Sequence, residues 1–256
     1  MNGLLVAAIG SALVITADAA VISFNATAGS SPSGMATTDI AGAPGASVSN
    51  WNNMYATSTN GVLTGSLAAG TIRNDSGTTV SLMALTISGT GGTNSNGSGS
   101  GTNAQRMFES EFDLFASTTF TLTNVPYALY DVYYYVQDAD DGQIRGGDVT
   151  ANTVRESITM FANPTAVGTA SGNANNFAYL EANNQFTWNS TTTTRGTFLR
   201  IQDLTGSTLT MVVAPQNTGS PRLRTSGFQV VQVPEPTSLS LLGLCGTLAL
   251  LRRRRA

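Results

Sequence analysis

Several short segments of the chain alternate apolar and polar residues with a period of two, which is typical of half-buried β-strands. In residues 208–214, Leu209, Met211 and Val213 fall on one face, and Thr208 and Thr210 fall on the other. The segments that we predict as strands are residues 21–26, 78–88, 118–124, 130–137, 157–161, 196–202, 208–214 and 227–233. Short strands separated by turn residues predict an all-β fold, an antiparallel β-sandwich of the jelly-roll kind.

Helical patterning is weak between the two ends of the chain. Residues 103–114 cluster Met107, Phe108 and Phe112, and we predict a strand or an irregular turn there rather than a short helix. A low-complexity run of Gly, Ser, Thr and Asn covers residues 88–101. We predict that this run is a flexible loop inside one domain, residues 20–232.

The N-terminus has the pattern of a secretion signal. An apolar run ends near Ile15 and is followed by Ala17, Asp18 and Ala19, an A-x-A cleavage site for signal peptidase. The pattern predicts a signal helix in residues 1–19 and a mature protein that begins at Ala20. The alternative is a buried helix, which does not require small residues at these positions.

The C-terminus has three parts: a proline-rich motif, an uncharged apolar segment at residues 237–251, and a basic cluster. The motif and cluster residues are Pro234, Glu235, Pro236, Arg252, Arg253, Arg254 and Arg255. As a helix the apolar segment is about 22 Å long, which is a marginal span of a hydrocarbon core of ~30 Å. We predict a short transmembrane helix with the arginines in the cytoplasm and the preceding domain outside.

This ending, residues 233–256, resembles the PEP-CTERM sorting signal of Gram-negative bacteria. The resemblance implies recognition and processing by an exosortase-type enzyme. It also implies a transient anchor in the inner membrane, followed by a location at the cell surface or outside the cell. An ordinary tail anchor that is not processed is the alternative. Residues 50–53, 125–133 and 227–231 are loosely similar to segments of PEP-CTERM ectodomains expected to be jelly rolls.

Composition excludes several kinds of catalytic site. The chain has no histidine, and its single cysteine, Cys245, lies in the apolar tail. A Ser-His-Asp triad, a cysteine nucleophile, a Cys/His zinc site and a disulfide are therefore excluded from the domain. The formal net charge is −3, and four of the arginines belong to the terminal cluster. Nucleic acid is consequently excluded as an expected partner.

Two groups of carboxylates are candidate sites. Asp138, Asp140 and Asp141, with Asp148 nearby, offer the oxygen ligands that calcium prefers. The alternative for this group is a solvated acidic turn. Glu109, Glu111 and Asp113 contain the pair of acids that glycoside hydrolysis requires. The alternative for these acids is a solvated strand face.

Aromatic residues offer a further candidate, because sugar rings stack on aromatic side chains. Residues 130–136 place Tyr133 and Tyr135 on the more polar face of a strand, and Trp51 and Trp188 lie elsewhere in the chain. These four residues are candidates for glycan stacking, and core packing is the alternative. Arg222 and Arg224 could bind a carboxylate, although surface ion pairing is their ordinary role.

The function that these patterns favour is that of a non-catalytic surface or matrix protein associated with exopolysaccharide or biofilm. The first alternative is a carbohydrate-binding module assisted by calcium. A glycosidase is the second alternative. The surface or matrix protein and the carbohydrate-binding module would both have polysaccharide as a partner.

Overall fold

The computed structural model describes residues 19–28, 34–95, 104–108, 110–136, 145–159, 181, 197–216 and 221–234. Ala20–Val233 forms a compact unit. The predicted signal helix and the predicted transmembrane helix lie outside the described residues. Among the described residues, no helix has the length and hydropathy that a membrane crossing requires.

The described residues form twelve strands and one short helix, α1 (Ala104–Met107). The strands are β1 (Val21–Ala28), β2 (Asn52–Thr59), β3 (Val62–Leu67), β4 (Ala84–Ser95), β5 (Ser110–Leu114), β6 (Thr118–Thr123), β7 (Leu129–Val136), β8 (Gly146–Ala151), β9 (Val154–Thr159), β10 (Phe198–Thr205), β11 (Thr208–Pro215) and β12 (Leu223–Gln232).

The strands form one sheet in the order β10-β7-β12-β1-β2-β3-β4-β6-β11-β8-β9. The remaining strand, β5, pairs with both β12 and β4, so that β12, β1, β2, β3, β4 and β5 form a closed ring. The pairing of β1 with β2 is parallel, and the other strand pairs are antiparallel. Parallel neighbours need a crossover connection, which the chain between Ala28 and Asn52 provides.

A single hydrophobic core holds the folded sheet together. At its centre, Phe24 of β1 stacks on Phe228 of β12 with ring centroids 4.7 Å apart. Phe120 of β6 meets Phe228 edge-on at 5.9 Å. Because β6 and β12 are not neighbours in the strand order, this contact shows that the sheet folds back on itself. Aromatic contacts of this geometry add to the stabilisation that burial provides.

The all-β prediction is confirmed, and each of the eight predicted segments overlaps a strand. The prediction of purely antiparallel pairing is wrong at β1 and β2. The strands β2, β3 and β8 were not predicted. In residues 103–114, β5 confirms the expected strand, and α1 adds a single helical turn before it.

The predicted flexible loop at residues 88–101 is wrong up to residue 95, because β4 continues through Ser95 and pairs with β3, β5 and β6. The glycines in this run allow close approach of neighbouring strands. A Cβ on Gly89 would lie 2.5 Å from the Cα of Thr118, and one on Gly91 would lie 2.8 Å from the carbonyl oxygen of Asp113. Packing therefore explains these glycines without invoking flexibility.

Candidate functional site

Two of the aromatic residues predicted to stack on sugars are buried against the segment that precedes β2. Trp51 is 4% exposed, and Tyr135 of β7 is fully buried. The Trp51 Nε1 donates a hydrogen bond to the carbonyl oxygen of Val48 at 3.0 Å. The two rings meet edge-on with centroids 6.0 Å apart. The faces of both rings therefore pack against other groups inside the protein.

Gln229 of β12 organises the polar contacts around Tyr135. Its Nε2 donates to the Ser23 Oγ at 2.9 Å and to the Ala46 carbonyl oxygen at 2.8 Å. Its Oε1 accepts a hydrogen bond from the Tyr135 hydroxyl, which in turn accepts from the Ala43 amide at 2.8 Å. A buried amide with its hydrogen bonds satisfied fixes the segment against the sheet. The outward face of β7 and β12 is consequently covered.

Tyr133 is also largely buried, at 8% exposed. Its ring stacks on Phe198 of β10 at 6.0 Å, and the Arg200 guanidinium lies 5.4 Å from the ring centroid. Arg200 is held in turn by Asp131, at 2.6 Å between Nη2 and Oδ2. Burial raises the pKa of the Tyr133 phenol.

The candidate role in glycan stacking is thus contradicted for Trp51, Tyr133 and Tyr135, and core packing, the alternative, is what the structure has. Alternation correctly placed the two tyrosines on one strand face, but that face is covered by the segment before β2 and by Phe198. Trp188 lies outside the described residues.

The candidate catalytic acids on β5 are buried and paired with arginines. Glu111 is fully buried, and its Oε1 lies 2.7 Å from the Nη1 of Arg224. Asp113 accepts from the Nη1 of Arg222 at 2.6 Å. The two acids lie two residues apart on β5, and both are buried, so the alternative of a solvated strand face is wrong. Glu109 lies outside the described residues.

The predicted calcium ligands Asp138, Asp140 and Asp141 lie outside the described residues. Nearby, Asp148 of β8 is buried and uses both oxygens within the protein. Its Oδ1 accepts from the Ser157 hydroxyl at 2.6 Å, and its Oδ2 accepts from Arg155 and Gln216. Through these hydrogen bonds Asp148 connects β8, β9 and the end of β11. The described part of the chain contains no group of three or more acidic, histidine or cysteine side chains placed to hold a metal ion.

The two ends of the compact unit leave the sheet side by side. β1 and β12 are antiparallel neighbours, and the Gln232 amide donates to the Ala20 carbonyl oxygen at 2.9 Å. The next amide, of Val233, donates to the Leu129 carbonyl oxygen at 3.0 Å. Pro234 follows and is exposed. The predicted cleavage site after Ala19 therefore directly precedes β1, and the proline-rich motif directly follows β12; Ala17 lies outside the described residues.

A family model, the PEP-CTERM protein-sorting motif, matches residues 232–255. The match begins at the last residue of β12 and includes Pro234, Glu235, Pro236 and the terminal arginines. No curated protein and no solved structure matches the chain. The match and the predicted three-part ending agree: the chain carries a PEP-CTERM protein-sorting motif at residues 232–255, and this motif implies export and sorting to the cell surface through an exosortase.

Proposed function

We propose that the protein is a non-catalytic component of the cell surface or extracellular matrix, associated with exopolysaccharide or biofilm. Signal peptidase removes residues 1–19, and the domain folds outside the inner membrane, where the short apolar tail holds it transiently. An exosortase-type enzyme then processes the tail. The domain works as a jelly-roll-like sandwich that presents surfaces rather than a reaction centre.

The observation that carries this proposal is the position of the sorting motif. It begins where β12 ends, so processing near Pro234 removes no part of the hydrogen-bonded sheet. Cleavage after Ala19 likewise leaves β1 complete, because that strand begins at Val21. The compact unit therefore keeps its first and last strands after both processing steps.

The pairing of the acids supports a non-catalytic role. A pair of carboxylates in a glycosidase must reach a substrate from two sides of the glycosidic bond. Here Glu111 and Asp113 face Arg224 and Arg222 at ion-pair distance and are almost excluded from solvent. Removing one member of a buried ion pair is costly, so a structural role explains these acids sufficiently.

The test is fractionation of cells that express the full chain or a variant in which Pro234, Glu235 and Pro236 are all alanine. We expect the unaltered protein at the cell surface or in the medium, shortened at both ends. The variant should remain in the inner membrane with its C-terminal tail. A variant with Thr37→Ala and Thr38→Ala, two exposed positions, is the matched control and should be processed normally. Recovery of the unaltered protein only from the soluble cytoplasm would contradict the proposal.

A further inference from the structure

Six strands of the sheet carry no charged residue. β1 is one of them and is buried along nearly its whole length. The other five, β2, β3, β4, β6 and β11, also present outward residues that are not buried. β3, β4, β6 and β11 are consecutive neighbours in the sheet, and β2 borders β3. Their inward residues, such as Leu63, Ile87 and Phe120, are buried in the core. Their outward residues are mainly threonine and serine. We call the outward surface of these five strands the threonine face.

Strand register aligns the hydroxyl residues into rows that cross the sheet. In the first row, neighbouring residues face one another in the order Thr57, Thr64, Ser88 and Thr119. In the second row the order is Ser66, Thr86, Thr121 and Thr210. Neighbouring strands lie about 4.8 Å apart, and outward residues on one strand lie about 6.7 Å apart. The face is thus a two-dimensional array of hydroxyl and methyl groups.

The hydroxyls of this array have few partners within the protein. Thr57 and Thr64 approach each other at 3.5 Å between their Oγ1 atoms. The hydroxyls of Thr86, Thr121 and Thr210 make no side-chain hydrogen bond to any described residue. Each hydroxyl can both donate and accept. The array therefore offers repeated hydrogen-bonding groups to a ligand, held in place by strands whose other face is core.

We propose that the threonine face binds a neutral polysaccharide chain, which deepens the proposed association with exopolysaccharide and rests on it. The threonine and serine hydroxyls can hydrogen-bond to the hydroxyl groups of sugars, and the threonine methyl groups can pack against the C–H faces of the sugar rings. Tyr55, half exposed and two residues before Thr57 on β2, adds an aromatic ring beside the array. An acidic polymer is disfavoured, because the face has no arginine or lysine and the protein is acidic overall.

The binding test uses the full chain, purified in mild detergent, with amorphous cellulose and dextran as neutral probes and alginate as the anionic probe. The altered protein is the triple variant Thr86→Val, Thr121→Val and Thr210→Val, which removes three hydroxyls of one row at nearly constant shape. Valine suits an exposed strand, so the fold should persist, and circular dichroism checks this. The matched control changes three exposed threonines outside these five strands, Thr37→Val, Thr38→Val and Thr79→Val.

We expect saturable binding to a neutral probe, about tenfold or more weaker in the face variant and unchanged in the control. If the triple variant does not fold, the pair Thr57→Val and Thr64→Val in the other row provides the same comparison. Equal binding by the face and control variants, or binding to alginate alone, overturns the proposal. The proposal is also overturned if the unaltered protein binds no polysaccharide and instead forms a dimer that the face variant does not form.

Failure of this inference is distinguishable from failure of the proposed function. Fractionation reports whether the protein reaches the cell surface, and it does not depend on the threonine face. A protein that is sorted normally but binds none of the three probes overturns the assignment of the face and leaves the sorting role intact.

Discussion

Val21 at the start of β1 lies directly opposite Val231 near the end of β12. The first and last strands of the compact unit are therefore hydrogen-bonded neighbours inside the ring of strands. In the sequence, everything that the proposed processing would remove lies before β1 or after β12. Stability of the domain should then depend on β12 being complete and should not depend on the tail.

Truncation tests this dependence. A chain of residues 20–233 keeps β12 and should unfold cooperatively on heating. A chain of residues 20–228 loses the fully buried Val230 and the hydrogen bonds of Gln229, and it should not fold. Thermal unfolding monitored by circular dichroism distinguishes the two. Cooperative unfolding of the shorter chain would show that β12 is not needed to close the sheet.

The class of the fold could be predicted from the sequence because the strands alternate clearly, as in residues 208–214. The hairpin of β2 and β3 was missed although its turn signal is present. Asn60 and Gly61 form a two-residue connection with φ of 52° and 79°, which matches the strong Asn-Gly preference of such hairpins. The flanking strands are rich in Thr and Ser rather than apolar residues, and this hid the signal.

The candidate aromatic site could be predicted only in part. Alternation identifies the residues that share a strand face, but it does not tell which segment covers that face. Tyr135 is buried by contacts with Ala43 and Gln229, which are distant in sequence. The threonine face was missed for the related reason that its rows exist only once five strands are in register, although Thr208 and Thr210 already indicated a polar face.

Two glycines of β4 provide a matched test that this low-complexity run is strand. Gly89→Ala places a methyl group against Thr118, and overpacking of this kind costs about 1–3 kcal/mol of unfolding free energy. Gly92→Ala should be neutral or slightly stabilising, because its nearest neighbour, the Cζ of Phe115, would lie 3.6 Å away. Urea unfolding measures both. Equal effects of the two substitutions would favour a loop.

Gln229 should be among the most sensitive polar positions. Gln229→Leu leaves the Ser23 hydroxyl, the Ala46 carbonyl and the Tyr135 hydroxyl without their buried partner. An unsatisfied buried group costs about 1–3 kcal/mol, so we expect a loss of about 3 kcal/mol in unfolding free energy. Gln202→Leu, at an exposed position of β10, is the control and should change stability by less than about 0.5 kcal/mol. If Gln229→Leu lowers the unfolding free energy no more than Gln202→Leu does, Gln229 does not organise the polar contacts around Tyr135.

Stability should fall in alkaline solution because the tyrosines of β7 are buried. Burial raises the pKa of Tyr134 above its ordinary value, and it raises the pKa values of Tyr130 and Tyr133 as well. Below pH about 10 these phenols are neutral in both states, and the unfolding free energy is unaffected. At higher pH the unfolded chain releases protons that the folded protein retains, so stability decreases as pH rises. Urea unfolding at pH 8 and pH 11 should show this decrease, with phenolate absorbance appearing together with unfolding.

Tyr134→Phe removes one fully buried phenol and should reduce the pH dependence, whatever its effect at pH 8. An unchanged pH dependence in this variant would show that Tyr134 does not contribute to it.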